Sequence, residues 1–228
     1  MIKTVFLDLD DTILDFHLAE RHAISETLLA FGYKPCEEAL ALYSEINKLQ
    51  WQRLERGEAT REEILVLRFD ILFEKLGIKS HGYEAKSIYE EKLQSFAFII
   101  PGALETVISL HKKYDLYLAS NGTARVQDGR LRASGISKYF KDIFISERIG
   151  YNKPKKEFFL ECIKRIDNFD YSEAIIIGDS ITSDIRGGRN AGIRTCLYNP
   201  KGLSYSKEDA PDHEIRSLSE LEDLLSNI

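Results

Sequence analysis

The 228 residues predict an α/β protein, a doubly wound parallel sheet with an all-helical block inserted after its first strand. Three observations lead there. Several short runs are apolar throughout rather than alternating, as in strands buried on both faces. Helical patterns separate these runs, the signature of a parallel sheet covered by helices. Between Leu18 and about Gln94, helix follows helix with no convincing strand.

The first strand is Thr4-Val5-Phe6-Leu7. In the helical block, Ile24, Leu28 and Phe31 repeat at helical spacing before the stop at Gly32. Leu42, Ile46 and Leu49 make a second stripe that ends near Gly57. Thr60 and Glu63 form a capping-box pattern ahead of Ile64, Leu67, Ile71 and Leu72, and Gly77 closes that helix. Ala85, Ile88, Tyr89 and Leu93 mark a fourth, so four apolar stripes can bury one another in a small bundle. Further strands are expected at Leu116-Ala119, Ile143-Ile145, Ala174-Ile177 and Arg194-Leu197. Helical patterns around Val107-Leu110, Val126-Leu131 and Phe158-Ile166 intervene, and a closing helix begins at Leu218. The division is then residues 1–15 plus 97–228 for the sheet domain and 16–96 for the helical domain.

Composition narrows the function. With 43% hydrophobic and 30% charged residues, the chain is that of an ordinary soluble globular protein. A net charge of -6 argues against non-specific nucleic-acid binding, which needs clustered Lys and Arg. Cys36, Cys162 and Cys196 are scattered and odd in number, which points to free thiols in a reducing compartment. No run approaches the roughly 20 apolar residues of a membrane span, and no signal peptide is evident. A cytoplasmic protein without membrane or nucleic-acid partners, monomeric or homodimeric, is the expectation.

In an open parallel sheet, ligands bind beyond the carboxyl ends of the strands. Here the first strand runs into Asp8 and Asp10, the second into Ser120-Asn121-Gly122, and the fourth into Gly178-Asp179, with Asp184 close behind. Lys153-Pro154, read as a helix start, adds a cation to the same rim. Alone, an Asp-x-Asp is more often a turn or a cap, and Ser-Asn-Gly is a turn signature. Together they make a different object. Four neighbouring carboxylates repel one another in a partly dry site, and a hard divalent cation relieves that repulsion. Magnesium suits, because it binds few protein carboxylates and keeps water or phosphate as its other ligands. Ser120, the amides around Asn121-Gly122 and Lys153 offer donors and positive charge to an anion. Carboxylates, magnesium, a hydroxyl and a lysine together describe a phosphoryl-transfer site.

Asp8-Leu9-Asp10-Asp11-Thr12, Ser120-Asn121-Gly122, Lys153-Pro154 and Gly178-Asp179-Ser180 followed by Asp184 resemble, in order, the four motifs of the haloacid dehalogenase-like hydrolase superfamily. The resemblance spans essentially the whole chain. It implies a Rossmann-like core and, for residues 16–96, a type-1 helical cap. It further implies that Asp8 is the nucleophile of an aspartyl-phosphate mechanism and that Asp10 is its general acid and base. Ser120, Asn121, Gly122 and Lys153 would bind phosphate. Magnesium would lie on Asp8, Asp10 through its backbone carbonyl, and Asp179, with Asp184 as ligand or supporting partner.

Within the superfamily, Asp10 argues against dehalogenation, and Asp11-Thr12 departs from the Asp-Gly usual in phosphomutases of the beta-phosphoglucomutase kind. Asn47-Lys48-Leu49-Gln50-Trp51, Arg68-Phe69 and Ile145-Ser146-Glu147 look similar to the pyrimidine nucleotide 5'-phosphatase branch. That implies hydrolysis of pyrimidine nucleoside monophosphates, with a sugar-phosphate or phosphoglycolate phosphatase, a phosphomutase or a catalytically silent binding protein as alternatives. Asn47, Trp51 and Arg68 are the candidate specificity residues. For Trp51 and Phe69, packing is the competing explanation.

Overall fold

Thr4–Leu7 (β1) lies at the centre of a six-stranded, wholly parallel sheet of order β3-β2-β1-β4-β5-β6. The other strands are Asp115–Ser120 (β2), Asp142–Ile145 (β3), Ala174–Gly178 (β4), Arg194–Tyr198 (β5) and His213–Ile215 (β6). The computed structural model describes residues 1–79 and 81–228. The five expected strands are present. The sixth was not anticipated, because a three-residue edge strand whose flanks are polar carries no apolar run to read.

The inner strands β2, β1, β4 and β5 are buried on both faces, as their largely apolar character requires. Val5, Leu7, Leu118, Ile175 and Ile177 face one cluster, completed by Ala103–Leu110 (α5) and Leu221–Asn227 (α10). Phe6, Tyr117, Phe144 and Ile176 face the other, against Phe158 and Phe159 of Lys156–Ile163 (α8). Ala124–Ser134 (α6), Ser146–Ile149 (α7) and Arg186–Ala191 (α9) complete the helices around the sheet. Lys153-Pro154 lies in the turn before α8 and does not begin that helix, whose N-cap is Lys155.

Between β1 and α5 stand four helices, Phe16–Ala30 (α1), Glu37–Glu55 (α2), Arg61–Leu76 (α3) and Gly82–Leu93 (α4). They share a separate cluster in which Tyr43, Phe69 and Tyr89 are fully buried. Phe69 is therefore a packing residue. The α3 capping box forms as expected: the Thr60 hydroxyl accepts from Glu63 N–H, and Glu63 accepts from Thr60 N–H at 2.7 Å. The buried stripe of α2 runs through Leu40, Tyr43, Ile46, Asn47 and Gln50, leaving Leu49 exposed, because polar residues belong to the inward face here. No helix among the described residues is long and apolar enough to cross a membrane.

Candidate active site

Register alone gathers the first elements of the site. Leu7 pairs with Leu118 on one side and with Ile177 on the other. Asp8 therefore emerges between the ends of β2 and β4, beside Ser120 and Asp179. The order of strands reverses at β1, so this is the crevice in which open parallel sheets bind ligands.

Lys153, fully buried, is the hub. Its Nζ donates to Asp8 Oδ1 at 2.6 Å, to Asp184 Oδ1 at 2.5 Å and to the Ala119 carbonyl at 2.5 Å. Asn121 sets its position: the side-chain amide accepts from Lys153 N–H and donates to the Lys153 carbonyl, each at 2.9 Å. Asp184 also accepts from Ser180 N–H at 3.1 Å, so both of its oxygens are engaged by the protein. It can lie so close to β4 because Gly178 has no side chain: a Cβ there would meet Asp184 Oδ2 at 2.2 Å.

Asp8, Asp179 and Asp184 bring carboxylate oxygens within 4.8 Å of one another. The carboxylate of Asp10 is not in that group. It is ion-paired with Arg130 and accepts from Gln127 Nε2 at 2.6 Å, which leaves its backbone carbonyl as the group the resemblance assigns to a metal. Asp11 has another task again. At φ 57° it turns the chain, and its carboxylate accepts from the N–H groups of Phe16 and His17 at the start of α1.

Electrostatics favour a cation here. Burial pushes the Asp8 carboxyl up to about 8; Lys153 opposes this, while Asp184 and Asp10 reinforce it. Burial, then repulsion from Asp8 and Asp184, holds Asp179 well above its ordinary value. Burial also works against the Lys153 charge, but Asp184 and Asp8 outweigh it and raise its pKa. One ammonium thus faces more negative charge than it can neutralise, and hard oxygen donors in this number fit magnesium.

Ser120, buried, accepts from Gly122 N–H at 3.0 Å and from Gln127 Nε2 at 2.8 Å. With both lone pairs occupied, its O–H is left to donate. Above the rim is a cavity of about 300 Å³. Asp8, Asp10, Ser120, Asn121, Gly122 and Asp179 line its sheet side, and Phe16, Glu20, Asn47, Trp51, Glu55, Arg68 and Tyr89 its helical side. Across the helical floor, Asn47 donates to Glu20 at 2.6 Å and accepts from Arg68 Nη1 at 2.8 Å. The Arg68 guanidinium also lies over the rings of Phe69 and Tyr89, at 5.0 and 4.8 Å from their centroids.

Of the residues singled out as candidate site residues, Asp8, Asp10, Ser120, Asn121, Gly122, Asp179, Asp184, Asn47, Trp51 and Arg68 line this cavity, and Lys153 lies beneath it, bonded to Asp8 and Asp184. The sequence did not reveal Gln127, Arg130, Glu20 or Arg61. Gln127 and Arg130 stand three apart on α6, on the face that also carries buried apolar residues, and that spacing was their one readable signal. Glu20 and Arg61 look like ordinary surface charges on amphipathic helices until the helices are packed.

Comparisons with known proteins place the whole chain among relatives. The family described as haloacid dehalogenase-like hydrolase matches residues 2–192. The chain is 38% identical over 224 residues to the HAD-hydrolase YfnB of Bacillus subtilis, covering 98% of this chain and 95% of that one. The magnesium-bound crystal form of YfnB, described as revealing interdomain movement, superposes with a TM-score of 0.95 over 100% of this chain and 99% of the other. The pyrimidine 5'-nucleotidases PynA of Streptococcus pneumoniae and YjjG of Escherichia coli are 36% and 29% identical. PynA is covered over 94% of its length by 98% of this chain, and YjjG over 96% by 97%.

Proposed function

The chain belongs to the haloacid dehalogenase-like hydrolase family, and from that premise we propose that it is a magnesium-dependent phosphomonoester hydrolase acting on pyrimidine nucleoside 5'-monophosphates. One observation carries the chemistry. Asp8, Asp179 and Asp184 converge around Lys153 beside Ser120, at the foot of a cavity whose opposite wall comes from the helical domain.

Asp8 attacks phosphorus, forming an aspartyl-phosphate as the bond to the leaving oxygen breaks. Asp10, aimed by Arg130 and Gln127, gives its proton to that oxygen and later takes one from the attacking water, which returns Asp8 and frees phosphate. Ser120 O–H and the Asn121-Gly122 loop hold the phosphoryl oxygens, and Lys153 offsets their charge. Asp8, Asp179 and the Asp10 carbonyl would hold magnesium, with Asp184 behind them, and the ion supplies charge neutralisation at the transferring group. Residues 16–96 act as the cap that shuts water out and selects the ester.

The nucleotide reading rests on the cap floor and on the named relatives. Trp51 offers an aromatic face, and Asn47 and Arg68 offer donors, within one cavity that also reaches Asp8. A panel of nucleoside monophosphates and sugar phosphates, assayed with magnesium and again with excess chelator, tests it. Uridine and thymidine monophosphates are expected to give the highest kcat/KM, and chelator to abolish turnover. A preference for a sugar phosphate or phosphoglycolate would overturn the substrate assignment, and full activity in chelator would overturn the metal's role.

A further inference from the structure

Arg61 opens α3 in the cap, yet all the hydrogen bonds of its guanidinium go to the sheet domain. Nη1 donates to the carbonyls of Asn121 at 2.9 Å and Gly122 at 3.2 Å. Nη2 donates to Ser146 Oγ at 2.6 Å and Asn152 Oδ1 at 2.5 Å. The root of the side chain is held in the cap: Trp51 lies against the guanidinium at 5.5 Å, and Ile64 and Leu65 of the same helix are buried with Leu54.

The partners are more telling than their number. Among the described residues, every hydrogen-bond acceptor of Arg61 is neutral, and none is a carboxylate. Burial weakens its hold on its proton, and attraction to the Glu147 carboxylate offsets this only in part. A cation taken from water and hydrogen-bonded to neutral acceptors, with its carboxylate neighbour making no bond to it, is poorly explained by stability. Two of those acceptors are backbone carbonyls of the phosphate loop. Carbonyl and N–H point in opposite directions across a trans peptide. Anchoring the Asn121 carbonyl therefore aims Gly122 N–H the other way, and that N–H donates to Ser120 Oγ at 3.0 Å. Hydrogen bonds in such a chain polarise one another. Anchoring the Gly122 carbonyl likewise turns Thr123 N–H away from Arg61, and Gly122 and Thr123 both line the cavity. Asn152 precedes Lys153, so the same guanidinium also steadies the turn that delivers the lysine.

We propose that Arg61 is a positioning residue that completes the phosphate grip only when the cap is docked, through a relay from its guanidinium by the Asn121–Gly122 peptide to the Ser120 hydroxyl. This rests on the phosphatase reading of the same site. The test compares wild type, Arg61→Met and Arg61→Lys, with magnesium present and folding checked by circular dichroism. Calorimetry measures inorganic phosphate binding, and kinetics measure kcat and KM on uridine monophosphate and on p-nitrophenyl phosphate, which has no base for the cap to hold. Arg61→Met is expected to bind phosphate about 10- to 100-fold more weakly and to lose kcat by a similar factor on both esters, with Arg61→Lys intermediate. If Arg61 merely fastens the cap, melting temperature and the KM for the nucleotide will change while phosphate affinity and p-nitrophenyl phosphate turnover hold, and the proposal fails. It fails equally if wild type binds no phosphate. An inactive wild type that still binds phosphate would reject the phosphatase reading alone, and the calorimetric comparison would still decide the role of Arg61. Should Arg61→Met not fold, Ser146→Ala and Asn152→Ala each remove one acceptor, and unchanged phosphate affinity in both would overturn the relay.

Discussion

At the sheet rim, Lys153 meets Asp8, Asp184 and a carbonyl, and Arg130 meets Asp10. On the cap floor, Glu20, Asn47 and Arg68 form a single chain, while the Tyr89 hydroxyl and one oxygen of Glu90 have no partner among the described residues, as is also true of Arg130 Nη2 and the Thr12 hydroxyl near the rim. Both regions bury polar groups, but the rim pairs cation directly with carboxylate, whereas on the floor the neutral Asn47 stands between Glu20 and Arg68. A reaction needs charges whose directions are fixed before the substrate arrives, since reorganising them during the step would raise the barrier. Selection needs the opposite, polar atoms with bonding capacity left for a ligand, because an analogue that fails to pair with them is rejected at a cost. Under the proposed function, the contrast separates a part that would act on any phosphate ester from a part that would choose among them.

The strongest way to break this division is Asp8→Asn. Turnover is expected to fall by roughly four or more orders of magnitude on every ester. The fold should survive, with thermal stability equal to wild type or higher, because burial already disfavours the charge that the variant removes. Residual activity within about tenfold of wild type in a discontinuous phosphate assay would show that another group is the nucleophile.

A smaller effect, confined to one class of substrate, is expected at the floor. Arg68→Met removes a buried donor group worth about 1.5–3 kcal/mol. The KM for uridine monophosphate should therefore rise about 10- to 100-fold while p-nitrophenyl phosphate turnover stays within about twofold. Equal losses on both would mean that the floor supports the rim instead of selecting the ester.

The smallest effect is on stability. Burial is the main cause that raises the Glu20 carboxyl, partly offset by hydrogen bonds from Ser44 and Asn47. A raised folded-state pKa means that its stabilising contribution is full below the ordinary value of 4.5 and is lost as pH rises through the folded value. Glu20→Gln should therefore gain melting temperature relative to wild type as pH is raised from about 4 towards 7, by a few degrees at most. A constant difference across that range would show that Glu20 does not titrate with folding.

The contrast between rim and floor also governs what could be read before folding. Asp8 and Asp179 directly follow apolar strands and Ser120 ends one, so a strand's end and a parallel register suffice to bring them together. The capping box at Thr60 and Glu63 and the stop at Gly77 were legible because each depends on residues within one turn. The second helix was harder. Leu49 belonged to a plausible stripe, yet the packed face uses Asn47 and Gln50 and leaves Leu49 in solvent, since a polar cavity rather than an oily interface lies on that side.

What the sequence by itself determined is the succession of helices and of the first five strands, and which polar residues stand at the strand ends, because local periodicity and strand-end position are written in neighbouring residues. Only the tertiary structure decided that Asp10 turns to Arg130, that Glu20 joins Asn47 and Arg68, and that Arg61 reaches across to the loop of Ser120. Asp10 and Arg130 are separated by 120 residues and Arg61 and Asn121 by 60. The direction of a long side chain towards such a distant partner is set by how helices pack, a choice that no local pattern encodes.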